Sequence, residues 1–237
     1  MDHAPRHILD NPIWSALTTR HAHLGQGGSL ARRYDPEFAP FAAVVAQSPE
    51  SWHALRDLLA PGGQAAMLAL GPVEPVEGLQ IEQAGVINQM VAMDQSHSSG
   101  AVDDADVLLL GALDAGEMLE LATKTKPGPF SMRTHEIGHY IGIREGGQLV
   151  AMAGERMNVD GYVEISAVCV NPAHRGKGIA ARLVQIMRRE IEERGDRPFL
   201  HVFNDNHAAI AVYERLGFEL RQAFRLLRVK RADHTAM

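Results

Sequence analysis

The stretch VCVNPAHRGKGIAARLV, residues 168–184, joins an apolar segment to a glycine-rich loop and an amphipathic run. The β-branched residues at its start favour a strand, and the apolar spacing after the loop predicts a helix. The first turn of a helix has unpaired backbone N–H groups and the positive end of the helix dipole. Gly176 and Gly178 would let an anion approach these groups, and Arg175 and Lys177 add positive charge. The stretch therefore predicts a site for a phosphate-bearing ligand at a strand-to-helix junction.

Two widespread phosphate-binding patterns do not describe this loop. The dinucleotide pattern G-x-G-x-x-G is absent, and the P-loop would need serine or threonine where Ile179 stands. The loop fits another pattern, [R/Q]-x-x-G-x-[G/A], through Arg175, Gly178 and Ala180. A second pattern, N-x-x-A-x-x-[L/V]-Y-E-x-x-G-F, follows it and is met by Asn206, Ala209, Val212, Tyr213, Glu214, Gly217 and Phe218. With both patterns in this order, residues 130–230 resemble the GNAT superfamily of acetyl-CoA-dependent N-acetyltransferases.

Local patterns predict the elements around these motifs. Strands are expected over Ala65–Leu70, Leu79–Ile81, Gly138–Glu145, Gln148–Met157, Tyr162–Val170, Phe199–Phe203, Phe218–Leu220 and Phe224–Val229, and helices over Ile13–His21, Ser51–Leu59 (Ser51 as N-cap), Leu113–Lys126, Gly178–Arg194 and Asn206–Leu216. This order predicts a mixed sheet with helices on its faces. The resemblance implies the GNAT fold, an α/β (α+β) class in which the mixed sheet is mostly antiparallel.

The chain divides into three predicted parts. Residues 1–70 form a small N-terminal α/β segment of uncertain role. Gly71–Gly78 contains two prolines and is interpreted as a connector, and residues 79–237 are interpreted as the acetyltransferase domain.

The resemblance also implies roles for residues of both motifs. The cofactor-binding residues would be Val168, Cys169, Val170, Arg175, Gly176, Lys177, Gly178, Ile179, Ala180, Asn206 and Ala209. The amides of Arg175–Ala180 would hold the pyrophosphate of acetyl-CoA, while the backbone of Val168–Val170 would pair with the pantetheine arm and polarise the thioester carbonyl. Asn206 would contact the same arm, and it also suits a helix N-cap. Tyr213 would protonate the departing thiolate.

Each catalytic assignment has a structural alternative. Tyr213 would otherwise be a core aromatic residue whose hydroxyl reaches solvent. Glu164 lies on the strand before the loop, where a general base could accept the amine proton, but it would serve equally as a carboxylate on a polar face. Cys169 lies near the expected thioester path, yet a lone cysteine in a strand is more often a small core residue. An amine can attack a thioester directly, so no covalent intermediate is required.

A competing metal-site pattern lies at HEIGHYIGIREGG, residues 135–147. It contains H-E-x-x-H, the zinc signature of metalloproteases. Gly138 and Gly142 oppose a helix, and the Gly146-Gly147 pair predicts a hairpin turn, so the stretch is expected to be a strand. In a strand the two histidines would lie about 13 Å apart, too far to share an ion. We therefore expect no metal site, and these side chains would be exposed or would line the acceptor pocket.

Composition limits the remaining function classes. The chain of 237 residues carries a net charge of −6 with both signs interspersed, which argues against nucleic-acid binding and mildly suits a basic amine as acceptor. One cysteine fits a reducing cytoplasm, and neither a secretory signal nor a membrane-spanning run is evident.

The sequence as a whole predicts an enzyme, an acyltransferase that moves an acetyl group from acetyl-CoA to a primary amine in a ternary complex. The acceptor, a small-molecule or protein amine, stays open, as does a homodimer. The alternatives are a non-catalytic acyl-CoA-binding regulatory domain and, ranked low, a zinc metallohydrolase.

Overall fold

A computed structural model describes residues 7–74, 76–93 and 103–232. Within these ranges the strands are β1 Gly25–Gly27, β2 Ala31–Tyr34, β3 Ala42–Val44, β4 Gln64–Ala69, β5 Leu79–Ala92, β6 Val107–Leu110, β7 Tyr140–Glu145, β8 Gln148–Val159, β9 Tyr162–Val170, β10 Arg197–Phe203 and β11 Phe218–Arg231. The α-helices are α1 Pro12–Thr18, α2 Pro49–Leu58, α3 Ala115–Thr125, α4 Ile179–Glu193 and α5 His207–Arg215. None of the helices in the described part of the chain is long and apolar enough to cross a membrane.

In the described part of the chain the main sheet has eight strands in the order β4-β11-β5-β10-β9-β8-β7-β6, and β1-β2-β3 form a second, small sheet. Among the described strand pairs of the main sheet, β9 and β10 are parallel and the others are antiparallel. The expected α/β fold with a mixed, mostly antiparallel sheet flanked by helices is confirmed.

Helices cover both faces of the main sheet. One face packs against α4, whose apolar residues recur at helical spacing and whose Leu183 and Met187 are fully buried beside Ile165 and Leu200. The opposite face packs against α1, with Phe199 and the end of β8 beneath it. A third cluster joins α3 to β7, β8 and β9. The core therefore lies in two layers with the sheet between them.

The N-terminal segment shares the sheet and core of the rest of the chain. Strand β4 lies within residues 1–70, yet it pairs with β11 over Arg225–Lys230. The alternate residues Ala65, Met67 and Ala69 of β4 are buried with α2, so the even-numbered ones face the other way. The division at residues 71–78 stays a prediction, but the segment before it contributes directly to the main sheet.

Three predictions about local structure were wrong. Strand β5 continues from Ile81 to Ala92, and the two predicted C-terminal strands are one strand with a bulge between Leu220 and Gln222. Interleaved polar residues concealed the length of both strands. The N-cap of α2 is Ser48, whose hydroxyl accepts the N–H of Ser51, because Pro49 can begin a helix without an N–H.

The packing of Gly154 against Tyr140 gives a test of the fold. A Cβ on Gly154 would lie 2.2 Å from Cδ1 of Tyr140, whose side chain is fully buried. We expect Gly154→Ala to lower the free energy of unfolding by about 1–3 kcal/mol, because overpacking forces the neighbours to shift. Urea unfolding measures the change. Gly116→Ala is the control, because its Cβ meets no atom within 4 Å and alanine favours a helix. Equal stability of the two variants would contradict this packing.

Candidate active site

The parallel pair β9–β10 opens into a cleft partway along its length. The pairing ends at Ile165 and Leu200, although β9 continues to Val170 and β10 to Phe203. Ala167 has a positive φ of 52°, and the register between β8 and β9 shifts beside it. The backbone of Ser166–Val170 on the side of β10 is thereby released from the ladder. A cleft of about 860 Å³ occupies the opening.

The glycine-rich loop lies at one end of this cleft. Gly176 and Gly178 have φ values of 78° and 75°, and Gly178 is the residue that caps α4. A Cβ on either glycine would meet no atom of the protein within 4 Å, so open space lies above the loop. The N–H of Arg182 bonds to the carbonyl of Gly178, and the preceding amides belong to the first turn of α4. These residues suit the binding of a pyrophosphate.

Tyr213 and Asn206 line the same cleft from α5. The ring of Tyr213 packs edge-on to Phe218, with 6.2 Å between ring centroids. Burial raises the pKa of the Tyr213 phenol to about 12, so the hydroxyl stays protonated at neutral pH. The Asn206 side chain accepts the N–H of Ala209 at 3.2 Å, and it is therefore the N-cap of α5. Its contact with pantetheine stays a prediction.

Cys169 lies at the cleft but belongs to the core beneath α3. Burial raises the pKa of its thiol to about 11, although a hydrogen bond with Thr125 opposes the shift. A thiol with so high a pKa is a weak nucleophile at neutral pH. The geometry favours the core interpretation of this residue.

Glu164 is held in a buried ion pair rather than exposed on a polar face. Its side chain has no exposed surface, and Nε of Arg156 donates to its Oε2 at 2.9 Å. Burial alone would raise the pKa of Glu164, but the charge of Arg156 and the contact with His201 outweigh it and lower the pKa to about 2. Breaking such a pair leaves an unpaired buried charge, which costs about 3–5 kcal/mol.

The hydrogen bonds around His201 define its tautomer. One side-chain N–H of Gln89 donates to the carbonyl of Leu9, and the side-chain oxygen of Gln89 accepts from Arg221. Nε2 of Gln89 therefore donates to Nε2 of His201, at 3.2 Å. Nδ1 of His201 then carries the proton and donates to Glu164 at 2.7 Å. The His201 ring is accordingly held from both sides at the point where β9 and β10 separate.

The histidines of the H-E-x-x-H pattern lie outside the cleft. His135 and Glu136 form a 3₁₀ turn with Thr134, so the expectation that they belong to a strand was wrong. The N–H of Ile137 closes this turn on the carbonyl of Thr134, and strand pairing begins only at Tyr140. Glu136 pairs with Arg133 and His139 with Glu190. Within the described residues, no group of three histidine, cysteine, aspartate or glutamate side chains is arranged to hold a metal ion.

Two cleft residues, Arg156 and His201, were missed from the sequence. Both are polar positions within apolar strands, in the runs QLVAMAGERMNV and RPFLHVF. A charged residue in a buried strand requires a partner, so that rule predicts a counter-charge for Arg156, and the structure supplies it as Glu164. Phe41, Ala66 and Leu68 also line the cleft, and no local sequence pattern marked them as site residues.

Three comparisons with known proteins agree with this geometry. The family model described as FR47-like protein matches residues 140–227. The N-alpha-acetyltransferase RimI of Mycobacterium tuberculosis is 34% identical over 161 residues, which span 62% of this chain and 95% of the relative. A mycothiol acetyltransferase of Corynebacterium efficiens is 34% identical over 79 residues, covering 33% of this chain and 27% of the relative.

A solved structure extends the similarity over nearly the whole chain. It is a GNAT-family protein from Novosphingobium aromaticivorans, with a TM-score of 0.87 and 34% identity. The match covers 96% of this chain and 100% of the solved one, so it includes the N-terminal segment. The motifs, the strand opening and these relatives agree, and the chain belongs to the GNAT family of N-acetyltransferases.

Proposed function

We propose that the protein transfers an acetyl group from acetyl-CoA to an amine of a small molecule or of a protein, by direct attack within one ternary complex. The observation that carries this proposal is the opening between β9 and β10, which leads from the glycine-rich loop past Tyr213. When bound, acetyl-CoA supplies a thioester whose carbonyl carbon an amine can attack.

The chain binds the donor mainly through its backbone. The amides of Arg175–Ala180 would hold the pyrophosphate, and the released edge of Val168–Val170 would hydrogen-bond the pantetheine amides as a further strand. An N–H of this edge would also stabilise the carbonyl oxygen as it gains negative charge. Asn206 and Ala209 would contact the arm from α5.

Tyr213 would donate a proton to the sulfur of the departing CoA. Its raised pKa keeps the phenol protonated at neutral pH, so a proton is available for the sulfur as the C–S bond breaks and negative charge develops there.

The proton of the attacking amine would leave through water in preference to Glu164. A carboxylate with a pKa of about 2 is a weak base, and both its oxygens are occupied by Arg156 or His201. We propose that Glu164 positions these two side chains. A role for Glu164 as the general base is the alternative, and the variant Glu164→Gln tests it.

The role of the glycine-rich loop in binding acetyl-CoA can be tested by substituting two glycines that have similar positive φ angles. Gly178→Ala should raise the Kd for acetyl-CoA about ten-fold or more, because a Cβ would occupy the space above the loop. Isothermal titration calorimetry measures the affinity. Gly161→Ala is the control, because φ is 80° at Gly161 and its Cβ is also unobstructed, but it lies outside the cleft. An unchanged Kd in Gly178→Ala would remove the assigned role.

Tyr213→Phe should lower kcat about 10²-fold or more while the Kd for acetyl-CoA changes little, because only proton donation is lost. Release of free CoA measures turnover. Tyr162→Phe removes a hydroxyl on the other side of the sheet, where it contacts His7, and it should behave as wild type. Equal turnover in both variants would contradict the role of Tyr213 as the acid.

A separate outcome concerns the wild-type protein. Binding of acetyl-CoA without turnover across a wide panel of amines would favour a non-catalytic acyl-CoA-binding protein.

Glu164→Gln should lower the free energy of unfolding by about 3 kcal/mol, because Arg156 is left buried without a counter-charge. The double variant Glu164→Gln with Arg156→Met should recover part of that loss, since no unpaired charge remains. Denaturant unfolding measures both. If Glu164 only positions its partners, kcat in the folded double variant should fall by less than about 10²-fold. A larger loss in folded protein would restore Glu164 as the base.

A further inference from the structure

The half of the cleft opposite the glycine-rich loop has an apolar wall. We call it the acceptor wall, and it consists of Phe41, Ala66, Leu68, Ile87, Phe203 and Leu226. Four neighbouring strands, β4, β11, β5 and β10, each contribute to it. Leu68 lies opposite Leu226, and Ile87 lies opposite Phe203, so their side chains form one continuous surface.

The wall is open to a ligand rather than filled by the core. Phe203 is 46% exposed, although it is a large apolar side chain. Its ring lies over Gly85, where a Cβ would approach it to 3.0 Å, so the ring is supported from below and exposed above. Leu68 and Leu226 are half-buried. Exposed apolar surface inside a cleft is a feature of sites that bind apolar groups.

The charges of the cleft have one sign. Among the described residues that line it, the charged ones are Lys126, Arg156, Arg175 and Arg215, and no aspartate or glutamate is among them. Glu164 is fully buried and is already paired with Arg156. A second ammonium group on an acceptor would therefore be desolvated without a counter-charge. The net charge of −6 mildly suits a basic amine, but the acidic residues lie outside the lining of this cleft, so the charge of the whole chain does not favour a multiply charged acceptor here.

We infer that the acceptor is a primary amine carried on an apolar body, with no second cationic group. This inference rests on the proposed function and specifies its acceptor. The amine nitrogen would reach the opening at Ile165 and Leu200 while the apolar body covers the acceptor wall. Polyamines and other multiply charged amines would be poor acceptors. An alkylamine, an arylalkylamine and a peptide N-terminus with an apolar first residue share the required chemistry.

The test uses pairs of amines that differ in one feature, with the full chain, acetyl-CoA and release of CoA as readout. Hexylamine should exceed 1,6-diaminohexane by about ten-fold or more in kcat/KM, because only the diamine carries a second charge. From propylamine to hexylamine, kcat/KM should rise about 2- to 4-fold per methylene. Short peptides with phenylalanine or lysine at the N-terminus give the same comparison for a protein source. Faster turnover of the Phe peptide than of 2-phenylethylamine would assign the apolar amine to a protein terminus, and the reverse would assign it to a small molecule.

Two variants test whether the acceptor wall causes the preference for hexylamine over 1,6-diaminohexane. Leu68→Glu places a carboxylate in the acceptor wall and should shift the preference toward the diamine by about ten-fold. Leu70→Glu adds the same charge at a residue that is 49% exposed and outside the cleft, so it should leave the preference unchanged.

Three results would overturn the inference. They are a wild-type preference for the diamine, a flat dependence on chain length, and an equal response of the two variants. Titration with acetyl-CoA distinguishes a wrong acceptor class from a wrong proposed function. Acetyl-CoA would still bind if only the acceptor class were wrong. If the donor binds without turnover, the shift in Tm of the CoA complex with each amine gives the same ranking. Equal shifts in Tm with hexylamine and with the diamine would also overturn the inference.

Discussion

The separation of β9 from β10 is the constraint on which the site depends. A sheet satisfies its backbone groups by pairing, so strands that part after Ile165 and Leu200 leave amides and carbonyls exposed along the opening. Such groups need partners, and the amides of a pantetheine arm are suitable ones. The glycine-rich loop follows one of the parted strands and α5 follows the other, so the opening also brings together the two sequence motifs.

The opening is closed at its apex by a network of polar side chains. Arg156, Glu164 and His201 lie where the strands part, and Gln89 and Arg221 extend the network toward Asp10. The two ion pairs at its ends balance their charges, and His201 and Gln89 join them. Because each member has defined hydrogen-bond partners, the network fixes the cleft floor without offering a free base. It also connects the N-terminal segment to the main sheet.

The N-terminal segment has a functional consequence through its place in the sheet. Phe41, Ala66 and Leu68 supply half of the acceptor wall, although the donor motifs lie more than a hundred residues later. The proposed function thereby assigns donor binding and acceptor choice to different parts of the chain. The wall can change with the N-terminal segment while the loop at Gly176 and Gly178 stays the same, which is a physical route to diverse acceptors on one donor site.

The sequence by itself determined the features that depend on neighbours along the chain. The loop at residues 175–180, the N-cap at Asn206 and the hairpin at Gly146-Gly147 follow from local backbone geometry, and the motifs identified the family. The tertiary structure decided the full length of β5 and β11, the ion pair of Glu164 and the acceptor wall. These depend on strand register and on burial, which bring together residues that are distant in sequence. The H-E-x-x-H letters show the same limit, because their side chains are turned to Arg133 and Glu190 by pairing that begins only at Tyr140. A pattern of letters defines a site only when the fold directs those side chains to one point in space.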